Sequence, residues 1–481
     1  MDVIETLITT ISLLLGGVGL TLPTIDYSLY KREKISGLTS IATLGIVLVL
    51  NVALAYELYY EGSIKIYNEA LHVDFYGSII SLTVTLGALL VAIASLAEVK
   101  SWSTSPSYFS LVLLALLGVY YMIFVNDLAL LVASWALVSV ASYVIVGLKK
   151  DLASVEGAAK YGIMGVASSS IMLYGIALIY SIIKTTSLSN IGEITNLTIT
   201  DRITLLAGVL LLLAAFGFKL GVVPFHGWLP DVYGGVHPML VSYIAGVVKV
   251  VGVMAILRVV YPFATILGDE WLGMLAVLSI ATMTFGNVVA LVQTHVQRMM
   301  AYSSIAQAGY ILVGYAAAVS RTGYTFGLEG IALHVMAYVL AKVGIFVGLA
   351  YMLRKGLELT LTGISGIGRR MPVLSLSIAI LLLSLMGIPP LIGFWSKFAY
   401  LFLSVVDVAP WLTLIAAINS GISVAYYAQV LRYMYFVEPK CVSSVSEKVS
   451  DYEVLIVVIT AVLTIALGLG PALIIAPKLI L

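Results

Sequence analysis

The chain has 481 residues, of which 61% are hydrophobic and only 10% are charged, and its formal net charge is +1. A soluble protein of this length could not bury so much apolar surface, so the composition predicts an all-α polytopic membrane protein. The small net charge provides no basic surface for nucleic acid. The single cysteine, Cys441, excludes an internal disulfide framework and a cysteine-based metal cluster. We find no Walker-type phosphate loop or dinucleotide fingerprint, and therefore expect no nucleotide hydrolysis and no redox cofactor in this chain.

Fourteen apolar segments are long enough to cross a bilayer, which takes about 20 residues each. We number them span 1 to span 14: residues 4–23, 38–57, 76–96, 107–124, 127–147, 158–183, 203–232, 238–262, 271–292, 300–319, 327–353, 373–405, 411–436 and 452–475. The first lacks a basic leader and a small-residue cleavage site, so we expect a span rather than a signal peptide. Spans 7 and 12 are over-long, and proline pairs interrupt them: Pro224 and Pro230, and Pro389 and Pro390. Because proline removes a backbone donor, both helices are predicted to be discontinuous.

Lysine and arginine are distributed unevenly among the predicted loops. Loops after odd-numbered spans hold 13 of these residues, and loops after even-numbered spans hold 5. Since short cytoplasmic loops are rich in lysine and arginine, the odd-numbered loops are predicted to be cytoplasmic and both termini to lie outside.

Two halves of the chain carry similar strings. VASYVIVG (140–147) in span 5 resembles AGYILVG (308–314) in span 10, so that Tyr143 matches Tyr310 and Gly147 matches Gly314. The interrupted spans 7 and 12 are likewise five spans apart. An odd offset reverses orientation, so spans 4–8 and 9–13 are predicted to be inverted five-helix repeats, as in secondary transporters. The predicted organisation is three N-terminal spans (1–106), a first half (107–262), an inverted second half (271–436) and a C-terminal helix (452–481).

Lysines lie inside several spans, where a cation is costly and indicates function. Lys219 precedes the interruption of span 7, Lys397 follows that of span 12, and Lys342 is internal to span 11. Lys249 is about 16 Å deep in a ~30 Å hydrocarbon core. Because desolvation favours the neutral amine, such lysines can change charge near physiological pH, as a proton relay requires.

Other ionisable residues leave alternatives open. His226 and His334 could bridge between lysines, but His226 could equally cap the broken helix and His334 could be a satisfied core histidine. Lys160, near the start of span 6, could belong to the relay or could be an interfacial side chain paired with Glu156 one turn away. Carboxylates are nearly absent from the predicted spans, and Asp127 and Asp231 lie only at span ends.

Four strings carry more specific motifs. They are EGAAKYGIMGVASSSIMLYGIALIY (156–180), FKLGVVPFHGWLPDVYGGVHPMLVSYIAGVVKVVGV (218–253), ALVQTHVQRMMAYSSIAQAGYILVG (290–314) and GIPPLIGFWSKF (387–398). They resemble the antiporter-like membrane subunits of respiratory complex I, closest to the subunit N group of NADH-quinone oxidoreductases, and the related Mrp-type cation/proton antiporters. The resemblance extends from about span 4 to span 13.

The resemblance implies roles for the buried lysines. Lys219 matches the broken-helix lysine of the first half-channel, Lys249 the connecting lysine and Lys397 the terminal lysine of the second half-channel. His334 and Lys342 lie where related subunits carry a histidine and a lysine in span 11, and Tyr338 lies where some carry a second histidine. One position departs from the family, because Ala136 in span 5 stands where a glutamate usually pairs with the span-7 lysine.

The resemblance also implies a function. We expect a subunit of a prokaryotic complex I-like oxidoreductase in the cell membrane, carrying protons (or Na⁺) while quinone reduction occurs in partner membrane subunits. No flavin, iron–sulfur, quinone or metal site is expected here. The alternatives are a subunit of an Mrp-type Na⁺/H⁺ antiporter or of a membrane-bound hydrogenase, or a structural subunit whose pumping is reduced because of Ala136. A general solute permease is disfavoured because no substrate-sized polar cluster is present.

Overall fold

The structure is a computed structural model, and it describes residues 3–28, 35–189, 191, 197–320, 323–438, 447–449 and 451–470. Cys441 and the end of predicted span 14, residues 471–475, lie outside the described residues. In chain order the helices are Val3–Thr24, Ile35–Glu61, Phe75–Ser95, Ser105–Phe124, Leu128–Gly147, Leu152–Ile183, Ile199–Leu220, Trp228–Gly235, Pro238–Leu267, Asp269–Leu291, Val296–Ala316, Gly323–Arg354, Pro372–Met386, Ile392–Val405, Pro410–Phe436 and Tyr452–Gly468. Short helical turns lie at Val99–Ser101, Ala317–Val319 and Ile367–Arg370.

These helices account for all fourteen predicted spans. Within the described ranges, eleven helices are each long and apolar enough to cross a membrane. The other five are the second part of span 7 (Trp228–Gly235), the polar span 10, the two parts of span 12 and the described part of span 14. The prediction of a polytopic helical membrane protein is confirmed.

Local sequence signals fix where several helices begin. The side chains of Asp74, Asp127 and Asp151 accept hydrogen bonds from backbone N–H groups of the first helical turn. Thr198 and Asp201 form a reciprocal capping box at the start of span 7. Such caps satisfy donors that a helix cannot satisfy internally.

Spans 7 and 12 are discontinuous, as predicted. The first part of span 7 ends at Gly221 (φ +79°), and the first part of span 12 ends at Gly387 (φ +88°). Glycine takes this left-handed conformation at little steric cost, and proline cannot continue the helix beyond it. One detail of the prediction was wrong, because Pro230 lies inside the helix Trp228–Gly235. Proline is tolerated there because first-turn N–H groups have no partner within the helix.

A small β-hairpin was not predicted. Strands β1 (Ile64–Ile66) and β2 (Leu71–Val73) pair antiparallel between spans 2 and 3. The hairpin leads directly into Asp74, the N-cap of span 3.

Spans 8 and 11 form the centre of the molecule. Every residue in the most apolar stretch of these two spans is buried. In the most apolar stretches of spans 1 and 6, only 28% and 22% of the residues are buried. The two central helices approach closely at Gly246, where an added Cβ would lie 2.5 Å from Val343 Cγ2. Lysines on these two helices are therefore enclosed by protein.

Candidate functional site: a line of buried lysines

Lys219 lies in the last turn of the first part of span 7 and is 1% exposed. Its Nζ donates hydrogen bonds to Ser139 Oγ at 3.3 Å and Ser142 Oγ at 3.2 Å. The ammonium also lies 4.9 Å from the ring centroids of both Tyr143 and Tyr161, and 5.9 Å from that of Trp135. Hydroxyls and aromatic faces therefore surround this group.

No carboxylate in the described part of the chain forms an ion pair with Lys219. The Asp127 carboxylate caps the start of span 5, where it accepts a hydrogen bond from the Ala129 N–H at 2.8 Å. Glu156 pairs with Lys160 at 2.8 Å. Ala136 is exposed, although its neighbour Trp135 is buried, so the side chain at position 136 faces away from the interior of the chain.

Lys249 follows a π-helical turn in span 8. Its backbone N–H donates to Ile244 O at 3.1 Å, and its Nζ donates to Ser304 O in span 10 at 2.6 Å. A Cβ built on Gly221 would lie 3.9 Å from this Nζ. Lys249 therefore reaches from the break in span 7, close to Lys219, to the second half of the chain.

Lys342 is fully buried in span 11. Its Nζ donates to Met300 O and to Ser303 Oγ, each at 3.0 Å. The Tyr338 ring centroid is 5.7 Å from this Nζ and 5.2 Å from that of Lys249. One aromatic ring thus contacts both lysines.

Lys397 is also fully buried and lies within the π-helical turn Trp395–Leu401. Its Nζ donates to Leu385 O, across the break in span 12, at 2.5 Å. The Tyr310 ring centroid lies 4.5 Å away. His334 Nδ1 is 3.2 Å from Ser396 Oγ, beside Lys397, and its Nε2 has no hydrogen-bond partner in the described part of the protein. π-Helical turns often occur at functional sites.

Side chains of spans 10 and 13 connect Lys342 to Lys397, and the sequence analysis did not identify them. Ser303 Oγ, which accepts from Lys342, is 2.6 Å from Tyr427 OH. Gln307 Nε2 donates to Tyr427 OH at 3.2 Å and to Leu385 O at 3.3 Å, the carbonyl that also accepts from Lys397. Ser303 and Gln307 are one turn apart in span 10. This polar stripe is the sequence signal that could have identified the link between Lys342 and Lys397.

The structure does not join every predicted residue to this line. His226 is partly exposed and packs against Phe285, with ring centroids 4.5 Å apart, and none of its described contacts is with a lysine. The side chain of Lys160 is 43% exposed and forms the predicted ion pair with Glu156 at 2.8 Å. It forms a second ion pair, with Asp231 at 2.9 Å, which was not predicted.

Buried carboxylates do occur in two spans, contrary to the expectation from the sequence. Glu329 is 6% exposed near the start of span 11. Glu453 begins span 14 and lies 2.9 Å from Arg354. Both residues are near helix ends, so the prediction, which considered charges near the centres of the spans, did not include them. Across the described ranges no group of three or more His, Cys, Asp or Glu side chains could hold a metal ion.

Comparison with known proteins identifies relatives of this chain. The family model described as NADH:quinone oxidoreductase/Mrp antiporter, TM, matches residues 125–423. The chain is 36% identical over 396 residues to F(420)H(2) dehydrogenase subunit N of Methanosarcina mazei, covering 80% of this chain and 78% of that protein. It is 33% identical over 440 residues to NADH-quinone oxidoreductase subunit N of Desulforamulus reducens, covering 90% and 89%.

A solved structure extends the similarity to the whole fold. A chain of respiratory complex I from Thermus thermophilus with bound Aureothin has a TM-score of 0.81 and 25% identity, covering 98% of this chain and 99% of that chain. From the matched family model and these two relatives, the chain belongs to the NADH:quinone oxidoreductase/Mrp antiporter family of membrane proteins.

Proposed function

We propose that this chain is the proton-translocating membrane subunit of a complex I-like oxidoreductase in a prokaryotic cell membrane. Lys219, Lys249, Lys342 and Lys397 are the relay groups, and His334 beside Lys397 is an auxiliary one. The observation that carries the proposal is the line of contacts from Lys249, through Tyr338 and Lys342, to Lys397.

The chemistry of this line supports charge transfer between the two halves. Each lysine nitrogen has hydroxyl, carbonyl or aromatic neighbours in the described structure, and desolvation makes the charged and neutral forms more nearly balanced than in water. A change of charge at one lysine acts on the next through a low-dielectric interior, where electrostatic coupling is strong. Protonation can therefore pass along the line as a series of coupled steps.

Under this proposal electron transfer takes place elsewhere. Quinone reduction in partner membrane subunits drives the relay, and flavin and iron–sulfur centres belong to those partners. The relatives' names support such an assembly, since both are subunits of dehydrogenase or quinone oxidoreductase complexes.

Lysine substitutions in the reconstituted assembly test the proposal. With Lys219→Ala or Lys397→Ala, we expect protons moved per quinone reduced to fall at least about tenfold, because a general acid–base group commonly contributes that much or more. Lys149→Ala is the matched control, since this lysine is in a loop and pairs with Asp151 at 3.2 Å. If both relay variants pump as well as the control, the relay assignment is wrong and the structural-subunit alternative is favoured.

The Mrp-type antiporter remains the second candidate because the matched family model includes it. Purification separates the two: co-purifying subunits with iron–sulfur centres and quinone reductase activity support the oxidoreductase. Sodium-dependent proton flux without quinone reduction supports the antiporter.

A further inference from the structure

We propose that Tyr143 and Tyr310 are positioning residues that hold the ammonium groups of Lys219 and Lys397 by cation–π contact, replacing a carboxylate partner at Lys219. The inference rests on the proposed function, because it concerns the same relay lysines. It assigns a role to the two tyrosines that the internal repeat matches to each other.

The first observation is geometric equivalence in the two halves. The ring centroid of Tyr143 lies 4.9 Å from Lys219 Nζ, and the ring centroid of Tyr310 lies 4.5 Å from Lys397 Nζ. The lysines themselves are not equivalent, since Lys219 precedes the break of its span and Lys397 follows the break of the other. Lys397 Nζ nevertheless donates to Leu385 O. Leu385 is two residues before the left-handed Gly387, just as Lys219 is two residues before the left-handed Gly221. Both ammonium groups therefore lie beside the end of a helical segment and against the matched tyrosine.

The second observation is that the tyrosine rings are held in place. Tyr143 packs edge-on against Tyr161 at 4.6 Å, and Tyr161 stacks on Trp228 at 4.2 Å. Trp228 Nε1 donates to Phe218 O, next to Lys219, at 2.8 Å. In the other half, Asn287 Nδ2 donates to Tyr310 OH at 3.0 Å. A fixed ring can orient an ammonium group, whereas a mobile one cannot.

The third observation is the balance of charge at Lys219. The titratable side chains in contact with it are Tyr143 and Tyr161, and no carboxylate forms an ion pair with it in the described ranges. The faces of both rings are electron-rich and attract a desolvated cation. At Lys397 the contacting titratable group is Tyr310, and the neighbouring span 11 contributes His334 and Lys342.

Gly165 in span 6 provides an indirect way to move Tyr143. A Cβ built on Gly165 would overlap Tyr143 OH, so alanine there forces the ring to shift. A Cβ on Gly162, one turn earlier in the same helix, would lie 3.9 Å from Tyr143 Cδ2, which is ordinary contact. Gly162→Ala is therefore a matched control for Gly165→Ala.

The test measures proton translocation per quinone reduced, across pH, in proteoliposomes of the whole assembly that enclose the pH dye pyranine. For Tyr143→Leu and Gly165→Ala we expect a roughly tenfold loss, and a pH of half-maximal translocation lower by about one unit, because the charged lysine loses its partner. Tyr143→Phe and Gly162→Ala are expected to stay within about twofold of the unsubstituted protein, because both retain the ring over Lys219. Tyr310→Leu is expected to resemble Tyr143→Leu.

The outcomes separate this inference from the proposed function. If Lys219→Ala abolishes translocation while Tyr143→Leu leaves its rate and pH profile unchanged, only the tyrosine role is wrong. If Tyr143→Phe loses as much as Tyr143→Leu, the ring is not the partner and the inference fails. If Lys219→Ala itself pumps normally, the proposed function fails first. Quinone reduction and the amount of assembled complex are measured on every sample, and they identify a variant that does not fold. If Tyr143→Leu does not fold, the comparison of Gly165→Ala with Gly162→Ala tests the role of the tyrosine.

Discussion

Three of the buried lysines lie at irregularities of the backbone. Lys219 is two residues before a left-handed glycine, Lys249 follows a π-helical turn, and Lys397 lies within one. Such irregularities redirect carbonyls away from regular helical bonding. Leu385 O, which accepts from Lys397, is one such carbonyl at the end of a helical segment. The break in span 12 thus supplies Lys397 with a main-chain acceptor, whereas Lys219 donates to side-chain hydroxyls, and lysine spacing alone does not reveal this difference.

Adjacent serines in span 10 provide a test at the scale of single residues. Ser303 Oγ links Lys342 to Tyr427. The hydroxyl of Ser304 donates to Met300 O within its own helix. The contact between Ser304 and Lys249 is made by the Ser304 carbonyl and not by its side chain. Ser303→Ala is expected to lower proton translocation several-fold, since removing one partner leaves a buried donor unsatisfied at a cost of about 1–3 kcal/mol. Ser304→Ala is the control. Equal translocation by the two variants in proteoliposomes would contradict the line from Lys342 to Lys397.

At the scale of elements, an ion pair joins the start of span 3 to the C-terminal part of span 8. Arg258 donates to both Asp74 oxygens, at 2.6 and 2.8 Å, and Asp74 also accepts from Gly77 N at 2.7 Å. Burial by itself raises the pKa of Asp74, but the Arg258 guanidinium and the Gly77 N–H outweigh it, so the pKa of Asp74 is lowered. The pair therefore stabilises the protein above the unfolded-state pKa, and this stabilisation is lost as the pH falls through the folded-state pKa.

Replacing Asp74 tests this connection. Asp74→Ala is expected to cost about 3–5 kcal/mol at neutral pH, because Arg258 is left as an unpaired, largely buried charge. The double variant Asp74→Ala/Arg258→Met is expected to be more stable than the single one. Thermal unfolding in detergent at neutral and acid pH measures both, and the single variant should differ from the unsubstituted protein less in acid. A difference that stays constant with pH would show that the pair is not the cause.

The sequence predicted the elements better than their contacts. Apolar length and interrupting prolines located a helix at each of the fourteen predicted positions and both broken helices, because these signals are local. The links through Tyr427 and Gln307 join residues 124 and 120 positions apart, and no local pattern specifies such pairs. Ala136 is a further case: the family resemblance implies a missing carboxylate at this position, but only the structure shows that Ala136 is exposed while Ser139, one turn later, faces Lys219.

At the scale of the whole molecule, the distribution of lysine and arginine predicts the orientation in the membrane. Cys441 follows span 13 in the sequence and is the only cysteine, so a membrane-impermeant thiol reagent reports the side on which that loop lies. Cytoplasmic labelling is expected for the unsubstituted chain. In a Cys441→Ser background, Thr186→Cys, which follows span 6, is expected to be labelled from the other side. Labelling of both from one side would contradict the orientation.

The bond between Lys249 and Ser304 has a consequence for biogenesis. The ribosome delivers span 8 before span 10, so for a period the Lys249 ammonium is in the membrane without the carbonyl that later accepts its hydrogen bond. Lys342 in turn depends on Met300 and Ser303 of that same span 10. Span 10 therefore supplies hydrogen-bond acceptors to the lysines of both central helices, and neither lysine has these partners until span 10 is in place.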